Sequence, residues 1–385
     1  MSYFETIQIG SAISQGSVSL KRYRPTPPVR TSPTLREVAD AAGVSLGTAS
    51  MALAGNGLVA TTTRDRIGRL ARQMGYVPNH VARSLRARRL NALGIVIPHS
   101  SAHVFSHPYF MELLRGVSEV ASNRGFTVTL SVSKAEDSVD EAYLRILNSG
   151  RVDGVIVASA SIHDPYLASL ARSGHHAVLL GRYPLDPTLT TVGIDDRKGG
   201  RAVTDHLIGH GHRLVGHISG PEGHLSATDR AEGYRDALGE HGLPYRADLV
   251  LVGDYSTPSG YEIGLQLLRR RRRPTAVFVA NDEMAFGVLQ AARELGLHVP
   301  NDLALAGFDD IQLASVMRPT LTTVRQPIAD LGSEAASRLI DLVLGAVSDV
   351  RHVVKTTELV VRESCGCSRT AISWPGEHGK QSVST

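Results

Sequence analysis

Four histidines within residues 206–217, HLIGHGHRLVGH, are the side chains whose spacing first suggests chemistry. His206 and His210 are four residues apart, so on a helix both imidazoles would lie on one face and could hold a metal ion. The cysteines Cys365 and Cys367 are separated by a single glycine. That spacing is too short for a relaxed disulfide and offers no second cysteine pair for zinc, which favours free thiols on a C-terminal tail.

Catalytic chemistry is not indicated by any group of residues. Serine and histidine are frequent, yet no G-x-S-x-G turn between a strand and a helix exposes a serine as a nucleophile. We therefore predict neither an enzymatic activity nor a cofactor.

Length and composition predict a cytoplasmic protein of two or three domains. The chain has 385 residues, of which 42% are hydrophobic, a normal value for a globular protein. No apolar run approaches the roughly 18 residues of a membrane span, and the N-terminus has no basic segment followed by an apolar core. With only two cysteines, a disulfide framework is excluded and a reducing compartment is expected.

Charge is distributed unevenly along the chain. Residues 1–91 contain thirteen Lys or Arg and four Asp or Glu, a formal charge of +9, whereas the whole chain has +4 and the remainder therefore −5. A basic first quarter joined to an acidic body predicts a domain that binds a polyanion such as DNA.

A helix-turn-helix is predicted within this basic segment, at residues 38–53, VADAAGVSLGTASMAL. Thr34 and Glu37 have the spacing of a capping box at the start of a first helix. Gly43 suits a left-handed helix end, and Ser45 can cap a second helix. The alternative is an ordinary helical hairpin, which the basic charge of the segment makes less favoured.

A third helix and a basic segment follow. After Thr63, the residues Ile67, Leu70, Ala71 and Met74 recur at helical spacing up to Gly75. The segment 78–90 has a small apolar face surrounded by arginines, so it would fold as a helix only against a partner. Residues 1–32, rich in Ser, Thr, Pro and Gly, are predicted to be a disordered extension.

From residue 91 onward, apolar β-branched runs alternate with amphipathic helical patterns. This alternation predicts parallel sheets covered by helices on both faces. Some 270 residues of such sequence exceed one ordinary domain, so two similar α/β lobes are expected. Ligands bind beyond the carboxyl ends of the strands, which here means the cleft between the lobes.

The chain resembles the lactose-repressor (LacI/GalR) family of bacterial transcription regulators over about residues 34–365. The motifs that carry the resemblance occur in family order: TLREVADAAGVSLGTASMAL, TRDRI, GYVPNHVARSLR, RVDGVIV, AVTDHLIGHGHRLVGHISGP, RAEGY, PTAVFVANDEMAFG and VPNDLALAGFDD. The fold that it implies is α/β: a three-helix helix-turn-helix head and a hinge helix, joined to a two-lobed core like that of periplasmic binding proteins, with parallel sheets flanked by helices.

The resemblance also implies domain boundaries. We expect a disordered extension (1–32), a DNA-binding head (33–77), a hinge helix (78–90), an effector-binding and dimerisation core (91–365) and a flexible tail (366–385). Within the core, lobe 1 would comprise about 91–194 and 327–350, and lobe 2 about 195–326 and 351–365, with crossovers near residues 194, 326 and 350.

The residues that the resemblance assigns to DNA lie on the head and the hinge. They are Thr34, Leu46, Gly47, Thr48, Ser50, Met51, Thr63, Asn79, Ala82, Arg83, Leu85 and Arg86. Thr48 and Ser50 can bond phosphates or base edges, and Leu46 can contact a thymine methyl group. Leu85 corresponds to a family leucine that wedges between base pairs in the minor groove. Leu46, Gly47 and Met51 offer no bidentate donor, which departs from the family pattern.

The residues that the resemblance assigns to the effector are Tyr109, Phe110, Arg230, Tyr255, Asn281 and Asp309. Such a set suits a sugar, because flat aromatic rings stack on C–H faces while Arg, amide and carboxylate groups bond adjacent hydroxyls. Ser226 and His224 lie on the loop that leads to Arg230, and Asp282 is interpreted as a helix cap. A purine or a phosphorylated effector is the alternative ligand class.

The resulting hypothesis is a homodimeric, effector-controlled repressor of carbohydrate-utilisation genes that binds a palindromic operator. The helix end and strand of the family account for most of HLIGHGHRLVGH, so no metal ligand is predicted. A sugar-binding module without a regulatory role and an enzyme of similar fold are the rival classes. The basic head and the missing export signal argue against the first, and a turnover assay would detect the second.

Overall fold

In the computed structural model of the chain, the residues whose structure is described are 33–53, 58–76, 89–134, 139–172, 174–183, 188–347 and 351–367. The chain divides into a head, up to Arg83, and a body, from Ser84 onward. The predicted extension 1–32, nearly all of the hinge segment 78–90 and the tail beyond Cys367 lie outside the described residues. Within the described part, no helix has the length and apolarity to cross a membrane.

The head contains the three predicted helices, α1 (Leu35–Ala41), α2 (Leu46–Leu53) and α3 (Thr61–Gln73). The capping box at α1 is present in full: the Thr34 hydroxyl accepts from the Glu37 N–H, and the Glu37 carboxylate accepts from the Thr34 N–H. Gly43 has a φ of +62°, the left-handed conformation predicted for the turn. Ser45 caps α2 by accepting from the Thr48 N–H at 3.1 Å.

A small apolar core joins these helices. Ile67 and Ala71 of α3 are buried against Val38 of α1 and Ala52 of α2. One expectation about α3 was wrong: Thr63 does not precede the helix but lies in its first turn, because the helix already begins at Thr61.

Lobe 1 of the body contains a six-stranded, wholly parallel sheet. Its strands are β1 (Ala92–Ser100), β2 (Thr127–Ser133), β3 (Gly154–Ala158), β4 (His176–Leu180), β5 (Thr190–Ile194) and β11 (His352–Lys355), in the order β11-β5-β4-β3-β1-β2. The lobe's helices are α4 (Ser101–Ser106), α5 (Pro108–Asn123), α6 (Val139–Leu147), α7 (Pro165–Arg172) and α13 (Ile328–Leu344). The central strand β3 is buried throughout, as expected for a parallel strand covered on both faces.

Lobe 2 repeats this plan with one antiparallel edge. Its strands are β6 (Val215–Ser219), β7 (Val250–Val252), β8 (Ala276–Val279), β9 (Ala304–Asp309), β10 (Thr322–Arg325) and β12 (Glu358–Val360), in the order β12-β10-β9-β8-β6-β7, with β12 antiparallel to β10. The lobe's helices are α8 (Asp196–Gly209), α9 (Leu225–Glu240), α10 (Thr257–Leu268), α11 (Asp282–Glu294) and α12 (Gln312–Val316).

The chain passes between the lobes three times: after β5, after β10, and between β11 and β12. The last passage differs from the crossover expected near residue 350. Residues 352–355 were assigned to lobe 2, but they pair in parallel with β5 and form the edge of the lobe 1 sheet. The strand joins this sheet because His352 lies opposite Thr191, whose hydroxyl is 2.9 Å from the His352 Nδ1. Lobe 2 therefore resumes after Lys355.

Helices α8 and α9 approach each other closely, and this contact positions part of the cleft. Gly200 of α8 faces the backbone of Arg230, and Gly233 of α9 faces the backbone of Arg197. A Cβ at either glycine would overlap the opposing helix. The backbones can therefore meet, which brings Asp196 at the start of α8 beside Arg230 on α9.

Candidate functional site

One face of α2 is directed away from the core of the head. Leu46, Gly47 and Met51 are exposed and Ser50 is half-buried, whereas Ala49 on the opposite side of the helix is fully buried. The four outward residues were predicted to face DNA, and they share a surface because helix positions three and four residues apart lie on the same face. This face is mostly apolar and short of hydrogen-bond donors.

The remaining predicted DNA contacts are distributed differently. Thr34 and Thr63 are half-buried at the starts of α1 and α3, and the half-buried Thr48 has its hydroxyl 2.9 Å from that of Ser45. Five arginines belong to the described part of the head: Arg36, Arg64, Arg66, Arg69 and Arg72. Asn79, Ala82, Arg83, Leu85 and Arg86 lie outside the described residues, so their assignment stays a prediction.

A cavity of about 130 Å³ lies between the two lobes of the body. All six residues predicted for the effector line it: Tyr109, Phe110, Arg230, Tyr255, Asn281 and Asp309. Ser226 and His224 line it as well. Asp309 ends β9 and Asn281 follows β8, so the cavity lies at the carboxyl ends of the strands, where ligands of such sheets bind.

Arg230 is the buried centre of the polar wall. Its Nε donates to the Asp196 carboxylate at 2.7 Å, and its Nη1 donates to the Ala280 carbonyl at 2.5 Å. The same Nη1 is 3.7 Å from the Asp309 carboxylate, and the guanidinium lies 3.7 Å above the ring of Phe308. These four contacts fix the direction in which the guanidinium faces the cavity.

The carboxyl groups around Arg230 exceed the positive charge available to them. Burial raises the pKa of Asp309 to about 7, although Arg230 and a hydrogen bond from Gln326 oppose the shift. Burial also raises the pKa of Asp196, again against the attraction of Arg230. One guanidinium thus serves two buried carboxyl groups, so the pKa of Asp309 lies near neutral pH and not in the acidic range ordinary for an aspartate.

Asp282 does not have the role expected for it. The cap of α11 is Asn281, whose side-chain oxygen accepts from the Met284 N–H at 3.0 Å. Asp282 is buried behind the cavity wall, where it accepts hydrogen bonds from the Thr323 hydroxyl at 2.6 Å and from the Ile311 N–H at 3.0 Å. Burial, followed by the nearby Asp309, raises its pKa well above the usual range.

Tyr255 is held over the lobe 2 side of the cavity. Its carbonyl accepts from the Asn281 side-chain amide at 2.9 Å, and its hydroxyl is 3.3 Å from that of Ser226. Its φ of +70° is unfavourable for a non-glycine residue, and Asp309 (φ +113°) and Ser159 (φ +57°) on the same cavity share this feature. Strained backbone of this kind concentrates at ligand sites.

Three histidines of lobe 1, His99, His103 and His107, lie close together beside the cavity and next to His224 of lobe 2, and these three were not predicted. Ring centroids of His99 and His103 are 4.6 Å apart, those of His103 and His107 4.2 Å, and those of His99 and His224 5.8 Å. Burial lowers the pKa of His107 to about 4, helped by the repulsion of His103 and His99. Their signal in the sequence is PHSSAHVFSHPYF, an extended segment with histidines at four-residue spacing.

Contacts between the lobes also border the cavity. The Ile162 N–H donates to the Gly223 carbonyl at 2.9 Å. Arg182, which follows β4, donates to both carboxylate oxygens of Asp229 on α9 at 2.9 and 2.6 Å. Asp196 and Arg182 were both missed as site residues, since neither belongs to a local motif and each is defined by a partner in a distant segment.

Comparisons with known proteins agree with this arrangement. Residues 34–79 match the family model described as bacterial regulatory proteins, lacI family, and residues 204–365 match the periplasmic binding protein-like domain. The chain is 35% identical over 339 residues to the HTH-type transcriptional regulator CelR of Thermobifida fusca, covering 87% of this chain and 99% of that protein. The HTH-type transcriptional repressor PurR of Photobacterium profundum is 31% identical over 332 residues, covering 86% and 98%.

Solved structures extend the likeness to the whole fold. A complex of the transcriptional regulator CelR with cellobiose has a TM-score of 0.68 at 34% identity, covering 86% of this chain and 99% of that chain. The Lac repressor dimer bound to operator and the anti-inducer ONPF has a TM-score of 0.74 at 27% identity, covering 87% and 99%. The expected fold class is therefore confirmed, and the chain belongs to the LacI family of bacterial regulatory proteins, which are DNA-binding transcriptional regulators.

Proposed function

We propose that the protein is a repressor of carbohydrate-utilisation genes whose operator binding is controlled by a sugar bound between its lobes. The observation that carries this proposal is the composition of the cavity. Buried polar groups (Arg230, Asn281 and Asp309) and aromatic rings (Phe110 and Tyr255) converge on one small space from both lobes. Membership of the LacI family supports the regulatory role.

Each polar group has a distinct task in the proposed site. Arg230 donates to ring hydroxyls, because its remaining N–H groups are held facing the cavity by Asp196 and Ala280. Asp309 accepts from the same hydroxyls when ionised and donates when protonated. Phe110 supplies a flat apolar surface for the C–H face of a sugar ring. The CelR–cellobiose complex supports a sugar as the ligand class.

The alternative effector is a purine or a phosphorylated metabolite. The likeness to PurR and the aromatic Phe110 favour a purine. The charge of the cavity disfavours a phosphate, because Arg230 is already paired with Asp196 and Arg182 with Asp229. Calorimetric titration with cellobiose, monosaccharides, purine bases and their phosphates separates these classes, and tight binding of a purine alone would overturn the sugar assignment.

We further propose that the regulator acts in the cytoplasm as a homodimer on a palindromic operator. The Lac repressor dimer on its operator supports this arrangement, since two heads related by two-fold symmetry require two half-sites. The outward face of α2, with Leu46, Ser50 and Met51, would read the major groove. An effector that changes the relative position of the lobes would change the separation of the two heads.

One experiment tests the regulatory proposal as a whole. The purified protein is incubated with fragmented genomic DNA of its host, with and without each candidate ligand, and the bound fragments are sequenced. A shared palindrome beside sugar transport or glycosidase genes, lost or gained when a sugar is added, is the expected result. Turnover of the candidate sugars in a parallel assay would instead support an enzyme, and fragments without a shared sequence would contradict operator recognition.

A further inference from the structure

The two cysteines lie against helix α8 at the end of the described chain. Cys365 closes a short 3-10 turn, Glu363–Cys365, and only 3% of its surface is exposed, within the apolar core of lobe 2. Gly366 has a φ of +75°, which turns the chain so that the half-buried Cys367 also faces α8. Both thiols are free, as predicted, but Cys365 belongs to the core of lobe 2 and not to a tail.

Three metal-binding side chains, His206, His210 and Cys367, meet at this place, and the thiol of Cys365 contacts that of Cys367. The Sγ of Cys367 is 3.2 Å from the Nε2 of His206, and the Sγ of Cys365 is 2.8 Å from that of Cys367. His210, one helical turn after His206, has its ring centroid 4.6 Å from the ring of His206. Ligand atoms of His206, His210 and Cys367 all lie within 4.8 Å of one another.

Ligand atoms about 2.0–2.3 Å from a zinc ion lie about 3.3–3.8 Å from each other. The 3.2 Å between the Cys367 Sγ and the His206 Nε2 is close to this range, whereas the two sulfurs, 2.8 Å apart, would have to move apart to bind the same ion. A disulfide would require the two sulfurs at about 2.05 Å, with a strained loop of one intervening residue. The sequence alone does not indicate a second pair of ligands to join the two cysteines. The fold supplies that pair from α8, where His206 precedes Cys367 by 161 residues in the chain.

A nearby histidine, His217, does not belong to this cluster. His217 is buried between Tyr234 and Phe278, with its Nδ1 3.0 Å from the Phe278 carbonyl, and is not part of the cluster.

We propose that His206, His210, Cys365 and Cys367 form a structural zinc site that fastens the C-terminal segment of lobe 2 to α8. Two thiols and two imidazoles are a ligand set that closed, tetrahedral zinc sites use. Binding converts the thiols to thiolates and releases their protons. The site is at the end of α8 away from Asp196 and the cleft, so its role is stability of lobe 2 and not effector binding.

Cobalt spectroscopy tests the proposal with the reduced, full-length protein. Co²⁺ in a tetrahedral site with thiolates gives strong ligand-field bands and a sulfur-to-cobalt charge-transfer band. Cys365 and Cys367 are the only cysteines in the chain, so that band can arise only here. We expect it to saturate with one equivalent of Co²⁺ and to disappear when Zn²⁺ is added. Cobalt binding without the band, as the histidines near the cleft would give, overturns the proposal.

Variants separate ligation from a purely structural effect. His210→Asn removes an exposed ligand with little risk to folding, and Cys367→Ser removes a sulfur. Each substitution is expected to weaken Co²⁺ binding at least about tenfold. Loss of a residue that merely supports a metal ligand already weakens binding by about that much. His176→Asn, an exposed histidine on lobe 1, is the matched control and should bind as the wild type does. Zn²⁺ should raise the Tm of the wild type and of this control; an equal rise for His210→Asn would contradict the site.

Discussion

The guanidinium of Arg182, on lobe 1, holds both carboxylate oxygens of Asp229, on lobe 2, at 2.9 and 2.6 Å. Asp229 precedes Arg230 on α9, so the residue that joins the lobes is next to the residue at the centre of the cavity wall. A movement that pulled Arg182 away from α9 would break this bidentate pair. The contact between the lobes and the guanidinium in the cavity wall therefore depend on adjacent residues of one helix.

We expect Arg182→Ala to weaken effector binding by up to about fivefold, because the contact between the lobes loses an ion pair worth at most about 1 kcal/mol. The expected loss of affinity is small because the Arg182 side chain is 55% exposed and its charge is screened by solvent. Isothermal titration calorimetry with the effector found by the ligand screen measures the change. Arg197→Ala is the control, since Arg197 forms a similar forked pair with Asp236 inside lobe 2. An equal loss in both variants would show that the ion pair between the lobes has no specific role in effector binding.

We expect Arg230→Ala to abolish the effector response while operator binding survives. The same change leaves the buried Asp196 and Asp309 without their cation, so it should also lower the free energy of unfolding by about 3–5 kcal/mol. A double variant, Arg230→Met with Asp196→Asn, removes the unpaired charge at position 196 and should regain part of the stability but none of the effector binding. Urea unfolding and calorimetry measure the two effects separately. Recovery of binding in the double variant would show that Arg230 acts only through stability.

The pKa of Asp309 predicts how stability changes with pH. Its folded pKa, about 7, is above the ordinary value of an aspartate, so the folded state binds the proton more tightly than the unfolded chain. This carboxyl group therefore stabilises the fold least above pH 7, and its contribution grows as pH falls toward the ordinary range of an aspartate. Relative to Asp309→Asn, the wild type should lose free energy of unfolding as pH rises through that window. Parallel curves for the two proteins across the window would refute the shift.

Gly220, directly after β6, makes room for the ring of Tyr255, since a Cβ at that position would overlap the ring. Gly220→Ala should displace Tyr255 from Ser226 and weaken effector binding by about tenfold, equivalent to about 1.4 kcal/mol. Gly239→Ala on α9 is the control, because a Cβ there has open space. The control should keep its affinity and gain about 0.5–1 kcal/mol of stability. Unchanged affinity of Gly220→Ala would exclude Tyr255 from the binding surface.

Features of the fold that depend on neighbouring residues were predictable from the sequence. The capping box of Thr34 and Glu37, the left-handed Gly43 and the buried stripe through Ile67 are set within a few residues of chain. The strand β11 was assigned to the wrong lobe because its four residues carry no local sign of which sheet edge they join. Pairing with β5, some 160 residues earlier in the chain, decides that question.

In the candidate site, too, the contacts between distant segments of the chain could not be predicted from the sequence. Its six predicted residues came from the resemblance to a family, not from periodicity or spacing. Asp196 and Arg182 were missed because their partners, Arg230 and Asp229, are 34 and 47 residues away in the chain. The sequence does not indicate that His206 and Cys367 are neighbours, since only the packing of the C-terminal turn on α8 brings their ligand atoms together.

The apolar outward face of α2 leads to a prediction about DNA reading. Leu46 is 37% exposed and has no packing role in the core of the head, so Leu46→Ala should leave the head folded. If this side chain contacts a thymine methyl group, its loss should weaken binding to the captured operator by about 1–3 kcal/mol and reduce discrimination at one base pair of each half-site. Leu58→Ala is the control, because Leu58 is 85% exposed on the head but lies outside α2. Fluorescence anisotropy with matched and single-substituted operators measures both variants; an equal loss of affinity on every sequence would mean that Leu46 positions the head without reading a base.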